Sequence, residues 1–168
     1  CSEENYLGPQ ETYTKKQAIA TADRTPLTQL ADPYNMVLLY SNLYLDENIQ
    51  LICHIVPEIK KFIFIGDARQ INQTNNLDIR NKLKKTHPNV EYQFITPQDM
   101  TTNQLLDSLY FVDPKTTGVL FSSWFYKTTF AGNTSLVSNA HKLIGTTAAP
   151  IFTLNMADIT EENGGMIG

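Results

Sequence analysis

Hydroxyl and aromatic side chains that can bind a small polar ligand are concentrated in one stretch of this sequence. Ser122, Ser123 and Trp124 follow an apolar run and precede Phe125 and Tyr126. Two hydroxyls beside aromatic rings can hydrogen-bond a small ligand and stack against it. The alternative interpretation is structural: Trp124 and Phe125 then cover a helix layer, and Tyr126 faces solvent.

Two further apolar runs also end in polar side chains. Asp67 follows Gly66 after the run 62–65, and Asn155 follows the run 151–154. A carboxylate at the end of a strand can bind a ligand hydroxyl or ammonium, although a turn residue or a helix cap is the commoner role. The sequence predicts no catalytic and no metal-ligating residue. Its ligand-binding candidates are Asp67, Ser122, Ser123, Trp124, Tyr126 and Asn155.

The patterns of common enzyme sites are missing from the sequence. It contains no nucleophile elbow, P-loop or dinucleotide-binding glycine motif, and 65–70 lacks glycines that would let the backbone approach phosphate. Cys1, Cys53 and the three histidines lack the spacing of a zinc site. We interpret Cys53 as a buried free thiol and His141 as a surface or packing residue. No cofactor is expected, and whether the parent protein is an enzyme stays open.

Composition and charge narrow the class of protein. The chain has 168 residues, of which 42% are hydrophobic and 18% charged, and this predicts a globular domain with a substantial core. No apolar run approaches the roughly 20 residues of a membrane span. The net charge of −4 argues against a nucleic-acid partner. The basic cluster 80–85 is interpreted as a solvated helix face, and the Asn-x-Thr/Ser triplets at Asn72 and Asn133 as chance matches.

Short apolar runs alternate with helical patterns along the chain. Unbroken apolar strands are typical of parallel sheets that are buried on both faces, and right-handed crossovers then predict a three-layer α/β/α sandwich. The sheet is expected to be mainly parallel, with about five strands, as in Rossmann-like or flavodoxin-like lobes. Residues 1–34 are expected to form an irregular arm and 35–168 a single lobe. Strands are predicted at 36–40, 62–65, 90–95, 117–122 and 151–154, and helices at 46–56, 76–86, 101–109 and 133–144.

The order of helix, strand and turn residues is distinctive in three stretches. From Leu45 to Asp67 a helix leads through Pro57 to a strand that ends in Gly66 and Asp67; 117–132 holds a strand, an aromatic turn and a glycine; and 150–152 precedes the glycines of 164–168. This order resembles the second lobe of type I periplasmic-binding-protein-like domains. The resemblance covers about residues 33–168. It is greatest to the extracytoplasmic sensor regions of bacterial sensor histidine kinases and to ABC-type solute-binding proteins.

The resemblance implies a non-catalytic lobe that binds a small molecule in a cleft. It also implies a periplasmic or extracytoplasmic domain, tethered to the membrane through the parent protein or through lipid on Cys1, unless Cys1 is only the edge of the given sequence. The arm before Met36 is shorter than the first lobe of that family, so a companion lobe or a homodimer is expected. The residues that the resemblance places on one wall of the cleft are Asp67, Ser122, Ser123, Trp124 and Asn155.

Four functions remain open at this point. The first is the input domain of a two-component sensor histidine kinase, in which a small molecule shifts a conformational equilibrium. The second is the solute-binding lipoprotein of an ABC transporter. The third is a flavodoxin-like enzyme domain, which only the fold class suggests. The fourth is an interaction lobe that uses Trp124, Phe125 and Tyr126 as a protein interface.

Overall fold

The computed structural model describes residues 6–34, 43–130, 133–138 and 147–154, with 126–130 and 133–138 described by their backbone. Helices alternate with parallel strands over most of this range. In chain order the elements are β1 (Tyr6–Leu7), α1 (Gln10–Thr14), a 3₁₀ helix (Thr21–Asp23), β2 (Thr25–Pro26), α2 (Leu27–Tyr34), α3 (Leu45–Ile55), β3 (Lys61–Ile65), α4 (Gln70–Thr86), β4 (Glu91–Ile95), α5 (Thr102–Tyr110), β5 (Thr117–Phe121), β6 (Phe125–Phe130), β7 (Asn133–Ser138) and β8 (Ile151–Thr153).

The main sheet has four strands in the order β4-β3-β5-β8, and every neighbouring pair is parallel. Ile63 of β3 pairs with Gln93 on one side and with Val119 on the other. The predicted α/β class with a mainly parallel sheet is therefore confirmed, in a Rossmann-like layout. The described sheet has four strands where about five were predicted, and the segment 36–40, which was predicted as a strand, lies outside the described residues.

Helices pack on both faces of the sheet, as the unbroken apolar strands lead one to expect. Successive side chains of a strand point to opposite faces, so Phe62 and Phe64 belong to one core cluster, and Ile63 and Ile65 to the other. The helical members of the first cluster are Ile49 and Ile52 of α3 with Ile79 and Leu83 of α4, and those of the second are Leu105 and Leu109 of α5.

Three of the four predicted helices are found in their predicted positions, as α3, α4 and α5, with differences at their first residues. Thr101 caps α5 in a capping box with Gln104, so this helix begins at Thr102, one residue after the predicted start. Helix α3 begins at Leu45, one residue before the predicted start at Asp46. Helix α4 begins at Gln70, whereas the apolar pattern predicted a start near Asn76. The pattern missed the first turns because the residues buried there are polar.

The helix predicted at 133–144 is wrong over its described part. Residues Asn133–Ser138 form strand β7, which pairs antiparallel with β6, so that Phe130 lies opposite Asn133 and Phe125 opposite Ser138. The segment 125–130 is rich in aromatic residues and threonine, which favour strands. A preceding partner strand therefore overrides the helical spacing of Leu136 with later residues. Residues 139–146 lie outside the described part of the chain.

The arm contains short regular elements where an irregular chain was expected. Strands β1 and β2 pair antiparallel, and α1 and α2 flank the 3₁₀ helix. Ile19 is fully buried, and its N–H donates to Thr74 Oγ1 of α4 at 3.0 Å. Arg24 forms an ion pair with Asp78 of the same helix at 2.7 Å. The described arm is thus attached to α4 by a hydrogen bond and an ion pair.

Candidate functional site

A buried polar pair joins the ends of the two central strands. Asp67 follows β3 and Ser123 follows β5, and the Ser123 hydroxyl donates to Asp67 Oδ2 at 2.7 Å. The chain leaves β3 towards β4 on one side and later crosses to β5 on the other. The carboxyl ends of β3 and β5 therefore flank the topological switch point, where open α/β sheets bind their ligands.

Two residues at the beginning of α4 complete the network around Asp67. Asn72 is fully buried, and its Nδ2 donates to Asp67 Oδ1 at 3.0 Å and to Ser123 Oγ at 2.8 Å. The Arg69 backbone N–H donates to Asp67 Oδ1 at 2.9 Å, as in a turn closed by an aspartate side chain. A Cβ atom at Gly66 would lie 3.0 Å from Asn72 Cγ, so the glycine lets this amide pack against the end of β3.

The Asp67 carboxylate is ionised and extensively hydrogen-bonded. Burial by itself would raise its pKa, but hydrogen bonds from the Arg69 and Ser123 side chains and the Arg69 N–H, together with the Arg69 charge, outweigh burial and hold the pKa of Asp67 below its usual range. Oδ1 accepts hydrogen bonds from Arg69 and Asn72, and Oδ2 accepts from Arg69 and Ser123. Asp67 is thus both a turn residue and the centre of a polar network.

Arg69 covers Asp67 on the solvent side. Its Nε lies 3.0 Å from Asp67 Oδ1 and 2.9 Å from Oδ2. The guanidinium carbon also lies 5.1 Å from the centroid of the Phe125 ring, within the range of a cation–π contact. The Arg69 side chain is 50% exposed while that of Asp67 is 4% exposed. The charged group that a ligand can reach is therefore Arg69, and Asp67 lies beneath it.

The other predicted ligand-binding residues are placed differently. Ser122 is half-buried, and its backbone N–H donates to Ile65 O at 2.9 Å. Trp124 is fully buried in the core cluster on the α5 side, and its Nε1 donates to Thr102 Oγ1 at 3.0 Å. This ring has no exposed face for a ligand to stack on, which matches the structural interpretation of the sequence. Tyr126 lies in β6 with no described side chain, and Asn155 lies outside the described residues.

Sequence reasoning missed Arg69 and Asn72 and gave Phe125 only a general role. Asn72 stood out only as the first residue of an Asn-x-Thr triplet, but its amide is buried and hydrogen-bonded. The available signal was the spacing from Asp67. Residues that follow a strand-end aspartate by two and five positions open the next helix, so their side chains return to the same strand end.

Outside the Asp67 network, the described residues hold a free thiol and a cleft. Cys53 is a free thiol that is half-buried rather than buried, and burial raises its pKa. No group of three metal-ligating side chains is found within the described ranges, and no helix there is long and apolar enough to cross a bilayer.

A cleft of about 870 Å³ lies between the arm, α3 and α4 and shares no residue with the Asp67 network. It is lined by Thr21, Leu43, Tyr44, Leu45, Asp46, Glu47, Asp78, Asn81, Lys82, Lys85 and Thr86.

Comparison of the chain with protein-family models, with curated proteins and with solved structures finds no match.

Proposed function

We propose that this chain is a non-catalytic lobe that binds a small polar molecule at the carboxyl end of its sheet, around Asp67, Ser123 and Arg69. The observation that carries the proposal is the buried Asp67–Ser123 pair at the switch point between β3 and β5. Two residues 56 positions apart supply a buried charge and a hydroxyl at the place where this topology binds ligands. The buried pair holds the Arg69 side chain, which covers Asp67 on the solvent side, in a fixed position.

The proposal is tested by a thermal-shift screen of the 168-residue chain. The compounds are sugars, amino acids, nucleobases and small anions, added singly over a concentration series. A compound that binds only the native state raises the melting temperature in a saturable way. We expect one chemical class to do so, and we expect the rise to be reduced or lost in Ser123→Ala.

The control is chosen to separate binding from folding. Ser108→Ala removes a hydroxyl from the exposed side of α5, where it donates to the Leu105 carbonyl, and is expected to keep the full ligand-dependent rise. Trp124→Ala is unsuitable as a probe because it opens a cavity in the core. If no compound stabilises the wild-type chain, or if both serine variants lose the rise equally, the binding site is not at Asp67 and Ser123.

The wider role that we propose is sensory. The segment resemblance supports an extracytoplasmic input domain of a two-component sensor histidine kinase, and its alternative is a solute-binding lipoprotein of an ABC transporter. In either case the lobe works with a companion lobe or a second copy, and it reaches the membrane through the parent protein or through lipid on Cys1. A transmembrane helix and a kinase region encoded downstream favour the sensor, whereas a lipobox encoded before Cys1 favours the transporter protein.

A flavodoxin-like enzyme domain is the second candidate, and the strand order favours it. Numbered along the chain, the four sheet strands are arranged 2-1-3-4, as in flavodoxin-like folds, and flavodoxin itself binds its flavin at the same switch point. Against it, the loop 65–70 after β3 lacks the glycines that let a backbone approach phosphate. Absorbance of the purified protein between 350 and 500 nm, roughly the flavin range, tests this candidate because the cofactor carries its own chromophore.

The three-layer sandwich with about five strands also remains a proposal. Because β4, β3, β5 and β8 are hydrogen-bonded in that order, a further strand can join only beside β4 or β8. Helix α3 packs on the same face as α4 and leads into β3. A right-handed crossover through α3 therefore requires a parallel strand that precedes it to join beside β8.

A further inference from the structure

We propose that the ligand of this lobe carries an oxyanion, a carboxylate or a phosphate, and that the outer edge of the Arg69 guanidinium binds it. This inference rests on the proposed binding function and specifies the ligand chemistry of the same site. It names Arg69 as the binding residue, and Asp67 and Phe125 as the residues that position it. The juxtaposition that carries it is a guanidinium fixed from beneath by a buried carboxylate and from the side by an aromatic ring.

The first step is the fixed position of the guanidinium. Arginine side chains on a surface usually lose much rotamer freedom when they bind an anion. Here the Nε atom is already hydrogen-bonded to both oxygens of Asp67, and the Phe125 ring lies against the guanidinium. Much of the ordering cost is therefore met before a ligand arrives. Preorganised groups of this kind bind more tightly than free ones.

The second step is the donors that remain. The hydrogen bonds of Arg69 to Asp67 use its Nε and its backbone N–H, and within the described residues its Nη1 and Nη2 atoms have no protein acceptor. These two terminal nitrogens carry four N–H groups in one plane, and the side chain is half exposed. A planar fork of donors matches the two oxygens of a carboxylate or a phosphate.

The third step is the charge around the fork. Arg69 is also the N-cap residue of the 17-residue helix α4, and its side chain makes no capping hydrogen bond. The N–H groups of the first turn have no intrahelical acceptor, and the helix dipole adds positive potential at this end. Asp67 neutralises part of this charge, but its oxygens are occupied by hydrogen bonds from Arg69, Asn72 and Ser123. A cationic ligand would have to displace Arg69, whereas an anion only adds to it.

The experiment follows the amide and side-chain N–H resonances of the whole chain by NMR during titration with inorganic phosphate and, separately, with propionate. Sodium chloride at matched ionic strength is the reference for general screening. We expect the Arg69 Nε–H and the Gln70 and Ile71 amide resonances to shift saturably with at least one probe. Response to propionate alone indicates a carboxylate ligand, and response to phosphate alone indicates a phosphate ligand.

Three variants make the test specific. Arg69→Gln is expected to weaken the apparent affinity at least about tenfold, which corresponds to about 1.4 kcal/mol, because a charge-assisted fork is lost. Arg69→Lys keeps the charge without the planar fork, so its affinity is expected to lie between that of the wild type and that of Arg69→Gln. Arg80→Gln removes the same charge from an exposed position on α4 and is expected to match the wild type.

Two results would overturn the inference. One is the absence of a saturable shift with both probes, and the other is an equal loss of affinity in Arg69→Gln and Arg80→Gln. The thermal-shift screen separates this failure from that of the proposed function. If a neutral or cationic compound stabilises the chain and Ser123→Ala abolishes that effect, the binding site stands and only the oxyanion is wrong. If no compound of any class binds, both proposals fail.

Discussion

Asp67 combines a structural and an electrostatic role within a single side chain. It accepts hydrogen bonds from Arg69, Asn72 and Ser123 and carries the negative charge that holds Arg69 in place. A carboxylate is needed because both of its oxygens must accept. An amide in the same position presents one donor group to partners that are themselves donors, which leaves buried polar groups unsatisfied.

Asp67→Asn is therefore expected to lower the free energy of unfolding by about 1–3 kcal/mol at pH 7, the usual cost of leaving such groups unpaired. The difference should depend on pH. The folded protein holds the pKa of Asp67 below its ordinary value of about 3.8. Its stabilising contribution is thus present above the ordinary pKa of the unfolded chain and is lost as the pH falls through the lower pKa of the folded state.

Urea denaturation of both proteins between pH 2.5 and 7, roughly the range in which carboxylates titrate, measures this difference. Asp107→Asn, at an exposed position on α5, is the matched control and should change stability by no more than about 0.5 kcal/mol. The other carboxyl groups contribute equally to the pH dependence of each variant and of the wild type, so their contribution cancels in the comparison. A difference that grows as the pH falls would contradict the assigned role of Asp67.

At the scale of elements, helix α3 and strand β5 approach each other unusually closely. Gly118 of β5 is buried, and a Cβ atom there would overlap Ile52 Cγ2 of α3 and lie 3.2 Å from Ile59 Cδ1. The glycine is thus required by packing and not by its backbone angles. This contact determines how near α3 lies to the sheet.

Gly118→Ala is expected to destabilise the chain by about 1–3 kcal/mol because it overpacks a filled core. Ile52→Ala alone should cost about 2–5 kcal/mol because it leaves a cavity. In the double variant the new methyl group occupies part of that cavity. The double variant should therefore lose less stability than the sum of the losses of the two single variants. Equilibrium denaturation of the four proteins gives the coupling. Strictly additive losses would show that Gly118 and Ile52 do not compete for the same space.

The elements that the sequence predicted well are those with a strong local signal. Strands 62–65 and 151–154 are short apolar runs, and α5 begins at a threonine followed by a glutamine at the third position of the helix. The hairpin of β6 and β7 was missed because its strands pair only with each other in the described chain. Apolar and polar residues do not alternate strictly along 125–130 or 133–138, so the sequence lacks the period-two pattern that indicates a strand.

At the scale of the whole molecule, the described arm is attached to α4 and contains a fully buried side chain of its own. Ile19 is fully buried, and Gly8 lies so close that a Cβ atom there would be 2.6 Å from Ile19 Cδ1. Arg24 links this part of the arm to α4, because its Nη2 donates both to the Ile19 carbonyl and to Asp78 Oδ1. The predicted division into an arm, 1–34, and a lobe, 35–168, can be tested at this contact.

Ile19→Ala is expected to lower the free energy of unfolding by about 2–5 kcal/mol, with the single transition retained, because the arm and the sheet then unfold together. Leu7→Ala changes the same kind of side chain at a position that is 43% exposed and should have a much smaller effect. Circular dichroism and tryptophan fluorescence, which reports on Trp124, measure the transition. An Ile19→Ala variant as stable as Leu7→Ala would mean that the arm is only loosely attached.

The sequence by itself determined the class of the fold and the edge of the sheet where polar residues gather. Both follow from local patterns, since apolar runs define buried strands and the residue after each run must lie at a strand end. For this reason Asp67 and Ser123 could be named as candidates before their separation in space was known.

Only the tertiary structure decided which of these residues meet. The order β4-β3-β5-β8 brings Asp67 beside Ser123, buries Trp124 away from solvent and leaves Arg69 as the exposed charge. Among the buried polar residues that open α4, Asn72 donates through Nδ2 to side chains at two different strand ends, while its Oδ1 has no partner among the described residues. Ser123 lies 51 residues from Asn72 in the sequence, so local spacing alone does not place its hydroxyl beside this amide.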